Sequence, residues 1–257
     1  MASSTSTSPT ATTPATTSPP NGYATKTFQV PVDTAGTTIS IKITEPNLTA
    51  QNLPLETWAS SHILASLLRH ININFPVSSN NKDIDVLPIL ELGAGTGLVG
   101  ISAGTIWQKP VILTDLEPII PGVKPDAINC GTLDWKSPTI LSMHTDKRIY
   151  FSTNSKAHVI LAADTVYSEE HPRLLGDVIK NWLDKDREAR VVIAYPMRVA
   201  YLEEIRELWE RFEEVGLEAI DEGKETADGG LFDDELLIEW SVWRWKEEAL
   251  NERRGST

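Results

Sequence analysis

The sequence contains one cysteine and no long apolar run. Because Cys130 has no second cysteine to pair with, an intramolecular disulfide bond is excluded and a reducing compartment is favoured. No apolar run approaches the roughly 20 residues that a membrane-spanning helix needs. We therefore expect a cytoplasmic protein that does not associate with membranes.

Basic residues are scarce as well. The chain has 23 Lys and Arg residues against 36 Asp and Glu residues, which gives a formal net charge of -13. Nucleic-acid binding requires a surface of lysine and arginine that displaces counterions from the phosphates, so a nucleic-acid partner is not expected. A basic protein partner suits this charge better.

Residues 1–22 lack charged side chains altogether. They consist almost entirely of Ser, Thr, Pro and Ala, which cannot bury enough surface to become ordered, and we predict a disordered tail. The segment also lacks the arginines of a mitochondrial presequence and the apolar stretch of a secretory signal. With 257 residues, 40% of them hydrophobic, the chain can bury one substantial core, which favours a single main domain.

The stretch Ile89–Gly100, ILELGAGTGLVG, organises the rest of the chain. A short apolar run that breaks into glycines and then becomes apolar again predicts a buried strand, a tight turn and the start of a helix. Because Gly93, Gly95 and Gly97 have no Cβ, backbone N–H groups can approach a nucleotide-like cofactor closely. The alternative is a glycine-rich turn that packs tightly and binds nothing.

The residues around this turn bear on which cofactor it would bind. Gly95, Gly97 and Gly100 also satisfy the dinucleotide spacing, in which the helix N-terminus faces a pyrophosphate. Glu91 argues against that ligand, because a carboxylate just before the glycines repels a pyrophosphate but suits a ligand with an ammonium beside a sulfonium. S-adenosylmethionine is such a ligand.

Two further buried strands end at a carboxylate. Val111–Asp115 is one, and Ala157–Ala163, followed by Asp164, is the other. Asp115 lies 20 residues beyond Gly95, an offset suited to accepting hydrogen bonds from ribose hydroxyls, although a helix N-cap is the alternative role. Because ligands lie at the carboxyl ends of strands in an open parallel sheet, we expect Asp164 to share a crevice with Asp115.

The segments before and after these strands have recognisable patterns. Apolar residues alternate on both sides of a turn from Lys26 to Thr44, which predicts a β-hairpin within an N-terminal extension at 23–54. A helix is predicted after Trp58. The indole of Trp58 either lies over the edge of a ligand or packs in the core. Another helix is predicted to begin late, near Gly122, within Glu117–Asn129, because the three prolines of this segment disfavour an uninterrupted helix.

A helix is also predicted after Asp164. Glu169 and Glu170 lie near its N-terminus, where the helix dipole favours them, and His171 is predicted to be solvated in its first turn. The predicted last strand, Leu236–Trp245, carries aromatic residues on both faces, so we expect it to be covered on both sides.

The stretch ELGAGTGLVG resembles motif I of the seven-strand S-adenosylmethionine-dependent methyltransferases, most closely the eukaryotic protein-lysine methyltransferases of lysine methyltransferase family 16. Three other segments are similar to that subgroup: LETWASS around Trp58, LDW at Leu133–Trp135, and ILAADTVY at Ile160–Tyr167. The last segment holds the Asp-x-x-Tyr signature of the subgroup. The resemblance implies a mostly parallel, Rossmann-like α/β sheet with an antiparallel last strand and helices on both faces, over residues 55–250.

The resemblance also implies roles for individual residues. It implies that Trp58 contacts the cofactor, that Trp135 lies beside the adenine, and that Asp164 and Tyr167 face the transferred methyl group as catalytic residues. No metal is required. The predicted cofactor-binding residues are Trp58, Glu91, Gly93, Ala94, Gly95, Asp115, Trp135 and Ala163.

The implied activity is S-adenosylmethionine-dependent methylation of lysine in a cytosolic protein, with S-adenosylhomocysteine as the product. Several fungal and animal relatives in this subgroup modify translation elongation factors, which makes such a factor the leading candidate substrate. We expect the enzyme to be a monomer.

Three other functions compete with this one. A small-molecule methyltransferase would share the fold and could use Asp164 in a magnesium site, but no second and third ligand form a recognisable pattern. A nicotinamide-dependent dehydrogenase explains the glycines and Asp115, but it leaves Trp58 and the Asp-x-x-Tyr signature without a purpose. A catalytically silent protein that retains the cofactor fold is the third.

Overall fold

A computed structural model describes residues 23–46, 49–50, 53–76, 85–116 and 129–251. The predicted tail at 1–22 and the predicted helix near Gly122 lie outside these residues. In the described part of the chain, no helix has the length and apolarity needed to cross a bilayer.

The N-terminal hairpin is confirmed. Strand β1 (Tyr23–Pro31) pairs antiparallel with β2 (Thr38–Pro46), and the Asp33 carboxylate closes the turn by accepting hydrogen bonds from the N–H groups of Ala35 and Thr37. Alternate residues of the hairpin point into the core, since Val30 and Ile43 are fully buried. Two short strands, β3 (Thr49–Ala50) and β4 (Leu53–Pro54), follow as an antiparallel pair.

A nine-stranded sheet forms the centre of the molecule. Its strands are β5 (Asp85–Leu92), β6 (Val111–Asp115), β7 (Asn129–Thr132), β8 (Ile140–Met143), β9 (Ile149–Phe151), β10 (Ser155–Ala163), β11 (Arg190–Pro196), β12 (Leu217–Thr226) and β13 (Leu237–Trp245). They lie in the order β12-β13-β11-β10-β5-β6-β7-β8-β9.

The five strands from β11 to β7 run parallel, and β13 is inserted antiparallel between β11 and β12. The expected mostly parallel sheet with an antiparallel last strand is therefore confirmed. The number of strands differs from the expected seven, because β8 and β9 extend the edge beyond β7 as an antiparallel pair of short strands. Short strands with exposed residues such as Ile149 and Phe151 have only a weak periodic signal in the sequence.

Helices cover both faces of the sheet. They are α1 (Ala59–Leu67), α2 (Leu98–Trp107), α3 (His171–Trp182), α4 (Leu202–Glu214) and α5 (Glu247–Asn251), with single turns of 3₁₀ helix at Leu68–His70 and Val199–Tyr201. Helices α1 and α2 pack with the hairpin in one apolar cluster, and α3 and α4 pack in the other. The helix predicted after Trp58 and the one predicted after Asp164 are therefore present.

Strand β13 is covered on both sides, as its aromatic residues predict. Val242 belongs to the cluster that contains α1 and α2. On the other face, Trp243 packs edge-on against Trp209 and Phe212 of α4, with ring centroids 4.7 and 5.0 Å apart. This covered strand supports the loop before it, residues 227–236, which reaches back to the carboxyl ends of the parallel strands.

Candidate active site

A cavity of about 940 Å³ opens at the carboxyl ends of β5, β6 and β10. This is the edge of an open parallel sheet where ligands bind, and the volume lies at the upper end of the range for small-molecule sites. Nine of the ten predicted site residues line it: Trp58, Gly93, Ala94, Gly95, Asp115, Trp135, Ala163, Asp164 and Tyr167. The tenth, Glu91, does not.

The glycine turn between β5 and α2 forms one wall of the cavity with its backbone. Gly93, Gly95 and Gly97 all have positive φ angles, of 63°, 53° and 84°. A Cβ on Gly93 would lie 3.0 Å from Cγ2 of Thr165 and 3.4 Å from the ring of Trp135. Gly93 therefore meets two requirements that other residues do not: it adopts a left-handed conformation and it keeps the wall beside Trp135 open.

Asp115 ends β6 and faces the same turn. Its Oδ2 accepts a hydrogen bond from the Gly95 N–H at 2.8 Å, and its Oδ1 accepts one from the Leu116 N–H at 2.7 Å. Burial raises the pKa of Asp115 to about 6, and these two hydrogen bonds oppose that rise. At pH 7 the group is thus an ionised carboxylate at the cavity wall, able to accept hydrogen bonds from ribose hydroxyls.

Glu91 lies under the turn instead of beside the cavity. Its side chain is buried, and Oε2 accepts a hydrogen bond from the Gly100 N–H of α2 at 3.0 Å. Burial raises the pKa of Glu91 to about 8, so the carboxyl is protonated at pH 7. The structure does not bring Glu91 together with the other predicted cofactor residues, because the side chain points below the turn towards the first turn of α2.

Trp58 stands at the N-terminus of α1, and two hydrogen bonds fix the residue before it. The Thr57 hydroxyl lies 2.8 Å from the Thr96 hydroxyl in the glycine turn, and the Thr57 N–H donates to Glu45 of the hairpin at 2.9 Å. Glu45 in turn forms an ion pair with Lys26 at 3.0 Å. The hairpin is therefore connected to the position of Trp58 in the cavity wall.

His171 is not solvated, so that prediction is wrong. The side chain is buried because α3 begins at the cavity wall, where the ring packs edge-on against Tyr167 (4.3 Å) and Trp135 (5.7 Å). Its Nδ1 accepts a hydrogen bond from the Tyr167 N–H at 3.3 Å, and burial lowers the pKa of His171. Tyr167 is also half-buried, and burial raises the pKa of its phenol to about 12, so it is a neutral hydrogen-bond donor at pH 7.

Asp164 follows β10 in a left-handed conformation with φ of 53°. Its side chain is only 5% exposed, and both carboxylate oxygens accept hydrogen bonds from Arg198, at 2.7 and 2.9 Å. Asp234 lies 3.9 Å from the same guanidinium. A positive φ at a non-glycine residue stores strain, and here the two-point ion pair holds the conformation in place.

Arg198 and Asp234 were not predicted as site residues. Arg198 comes two residues after the end of β11. Its place just after a parallel strand, where ligands generally bind, is the one feature of the sequence that could have identified it. Asp234 belongs to an acidic run in the loop before β13, which carries no motif. Phe232 anchors this loop by stacking on Phe28 of the hairpin (6.2 Å) and packing against His62 of α1 (5.6 Å).

The mouth of the cavity is acidic. Its carboxylates include Glu56, Glu170, Asp233, Asp234 and Glu235. Lys136 also lines the cavity but pairs with Glu170 at 2.8 Å. Such a surface attracts a cationic ligand and repels a pyrophosphate. Among the described residues, no group of three or more His, Cys, Asp or Glu side chains has the geometry to hold a metal ion.

The strand order around β5, with the antiparallel β13 between β11 and β12, defines the Rossmann-like fold of methyltransferases. A family model described as lysine methyltransferase matches residues 37–212, and the chain belongs to this family.

Two curated relatives are similar over most of this chain. Protein-lysine N-methyltransferase EFM2 of Saccharomyces cerevisiae is 33% identical over 202 residues, which cover 71% of this chain and 46% of EFM2. Protein-lysine N-methyltransferase rrg1 of Schizosaccharomyces pombe is 28% identical over 223 residues, which cover 80% of this chain and 67% of rrg1. The chain thus spans about half the length of the first relative and two thirds of the second.

Similarity to solved structures is more distant. Magnesium protoporphyrin IX methyltransferase from Synechocystis PCC 6803 is 12% identical, with a TM-score of 0.45 over 73% of this chain and 80% of that one.

Proposed function

We propose that this protein is an S-adenosylmethionine-dependent protein-lysine N-methyltransferase, with its methyltransferase domain at 55–250 and the N-terminal extension at 23–54. The observation that carries the proposal is that one cavity joins a glycine turn and the Asp115 carboxylate to an acidic mouth beside Asp164. A nucleoside cofactor and a cationic side chain would meet in that space. Membership of the lysine methyltransferase family supports the same conclusion.

The residues at the inner end of the cavity suit S-adenosylmethionine. Asp115 would accept hydrogen bonds from the ribose hydroxyls, and Trp135 would lie beside the adenine. Gly93 leaves room for such a ligand, because a Cβ at this position would take up space beside the Trp135 ring. When bound, the cofactor would supply a methyl group that is activated for transfer by its sulfonium.

Methyl transfer is an in-line displacement, in which a bond forms between the amine nitrogen and the methyl carbon while the bond between carbon and sulfur breaks. The protein must align the amine and exclude water, and such alignment lowers the barrier by several kcal/mol. A lysine amine has a pKa of about 10.4 in water, so it must lose its proton before it can attack. We assign Asp164 to orienting the amine and the neutral Tyr167 phenol to hydrogen bonding or proton relay at the same point.

For the substrate, we propose a translation elongation factor, on the strength of the motifs shared with the subgroup that modifies such factors. The acidic carboxylates at the cavity mouth support a lysine that lies in a basic segment of the partner. A substrate of this kind would place the reaction in the cytoplasm.

The test is to incubate the purified protein with radiolabelled S-adenosylmethionine and a cell lysate. A labelled protein band, with the label in methyl-lysine after hydrolysis, is the expected result. Label that appears only in a small molecule would replace the lysine substrate with a small-molecule substrate. A thermal-shift comparison of S-adenosylhomocysteine with NAD is run in parallel, and stabilisation by NAD alone would favour a dehydrogenase.

A further inference from the structure

Three separate segments bring charged groups together at the mouth of the cavity. Asp164 follows β10, Arg198 follows β11, and Asp234 lies in the loop before β13. Arg198 forms the two-point ion pair with Asp164 and lies 3.9 Å from Asp234. The guanidinium also lies over the ring of Trp58, 5.8 Å from its centroid. Arg198 is therefore held on three sides within the cavity lining.

This pair differs from ion pairs on the surface. The Asp164 side chain is only 5% exposed and that of Arg198 is 25% exposed, whereas both partners of the Arg244–Glu218 pair are about 40% exposed. Solvent and salt screen a partly buried pair much less than an exposed one. The charge of Arg198 therefore acts strongly on any group that lies next to Asp164.

An unpaired carboxylate would hinder methyl transfer to lysine. A carboxylate near an amine stabilises the ammonium form, which has no lone pair with which to attack a methyl group. A cation near the amine has the opposite effect. Methyl transfer therefore needs a carboxylate that orients the amine without stabilising its ammonium form. The two-point pair provides such a carboxylate, because Arg198 holds it in one orientation and balances its charge.

Resting on the proposed function, we propose that Arg198 is a positioning residue that acts through Asp164: it fixes the Asp164 carboxylate and balances its charge, so that the substrate amine beside it loses its proton more readily. Asp164 remains the group that touches the amine.

Other charged and titratable groups face this pair from each neighbouring segment. Asp234 and Tyr201 lie near Arg198 on one side, and Glu56 and Asp233 lie near Asp234. Tyr167 lies near Asp164 on the other side, with Asp115 and His171 next to it. These groups are present in every Arg198 variant, but the charge of Arg198 lowers the pKa of Asp234, so Asp234 is also replaced in the comparison.

The test is the pH dependence of methyl transfer to the lysate protein that the wild-type enzyme labels, at saturating cofactor. The kcat profile reports groups in the complex with substrate, and the kcat/KM profile reports the free reactants. For Arg198→Gln, we expect the rising limb of kcat to move to higher pH by about one unit, because the bound amine holds its proton more tightly. The corresponding limb of kcat/KM stays in place.

Three variants complete the comparison. Arg198→Lys keeps the charge but loses the two-point geometry, so kcat should fall without a shift in its pH profile. Asp234→Asn removes a negative charge and should move the limb to lower pH, which tests the same electrostatic effect should Arg198→Gln fail to fold. Arg244→Gln breaks an exposed ion pair outside the cavity lining and should match the wild type. Calorimetric binding of S-adenosylhomocysteine reports whether each variant is folded.

Unshifted kcat profiles in both Arg198→Gln and Asp234→Asn would overturn the role of Arg198 and leave the methyltransferase proposal standing. Higher activity of Arg198→Gln at neutral pH would also overturn it, because Arg198 would then be an occupant of the amine position that substrate must displace. A wild-type enzyme that labels no protein would overturn the proposed function, and this inference with it.

Discussion

The two ends of the cavity are built in different ways. The end proposed to bind the cofactor consists of backbone from the glycine turn after β5 and the Asp115 carboxylate at the end of the adjacent β6, with Trp135 beside them. The end proposed to bind the amine consists of charged side chains from the segments after β10 and β11 and from the loop before β13. The residues of the first end belong to local sequence motifs, whereas the residues of the second end come together only through tertiary packing. Changes at the two ends should therefore separate cofactor binding from methyl transfer.

The largest effect is expected at the amine end. Asp164→Ala should keep the fold and reduce methyl transfer at least about 100-fold, the usual scale for a lost acid–base or orienting group. Asp164→Asn is the matched variant, because asparagine tolerates the left-handed conformation; it removes the charge and one of the two hydrogen bonds from Arg198. Transfer rates and calorimetric affinity for S-adenosylhomocysteine would be measured together. Turnover at the wild-type rate in both variants would remove Asp164 from the catalytic residues.

The next largest effect is expected at the cofactor end. Gly93→Ala should weaken binding of S-adenosylhomocysteine by more than about tenfold, because the new Cβ narrows the wall and strains a left-handed residue. Gly36→Ala is the control, since Gly36 also has a positive φ, of 92°, but no atom lies within 4 Å of its added Cβ. It should lose stability without losing affinity. Equal affinities in the two variants would contradict a cofactor site at the glycine turn.

A pH effect on binding should follow from Asp115. Its pKa is raised to about 6, so the carboxylate that we propose as the acceptor of hydrogen bonds from the ribose hydroxyls becomes protonated as the pH falls through 6. Affinity for S-adenosylhomocysteine should drop about tenfold between pH 7.5 and pH 5. Asp115→Asn should bind weakly at both pH values. If the wild type binds equally well at both, Asp115 is a helix cap and not a ribose ligand.

The smallest effect on ligand binding is expected for Glu91, the carboxyl under the turn. Its pKa is about 8 in the fold and about 4.3 in an unfolded chain, so the folded protein holds a proton that the unfolded chain has released. Stability should therefore fall as the pH rises from about 4 to 8. Between pH 6 and pH 8, the wild type should lose about 2 kcal/mol more unfolding free energy than Glu91→Gln. Denaturant titrations measure this difference.

Affinity for S-adenosylhomocysteine should stay within about threefold in Glu91→Gln, because the side chain does not line the cavity. A large loss of affinity would instead give Glu91 the cofactor role that the sequence suggests.

The sequence predicts the parts of the fold that depend on strong local patterns. β6 begins and ends at the predicted residues, and the hairpin, the strand before Asp164 and the last strand are all present. The edge strands β8 and β9 were missed, because three or four residues are too few to show a period.

The residues of the site were likewise predictable where they depend on local patterns. Glycines and carboxylates at strand ends identify most of the cavity wall, since strand direction alone brings them to one edge. The orientation of a side chain is not contained in such a pattern, and Glu91 therefore turned below the wall it was expected to line. Arg198 and His171 acquire their positions only when β11 and α3 pack beside β10.

The stacking of Phe232 on Phe28 has a consequence for biosynthesis. Translation delivers Phe28 early and Phe232 late, and a domain generally folds as a unit. The contact between the hairpin and the loop can therefore form only after Phe232 has left the ribosome. The side of the cavity that holds Asp234 is completed last, and a nascent chain would lack it.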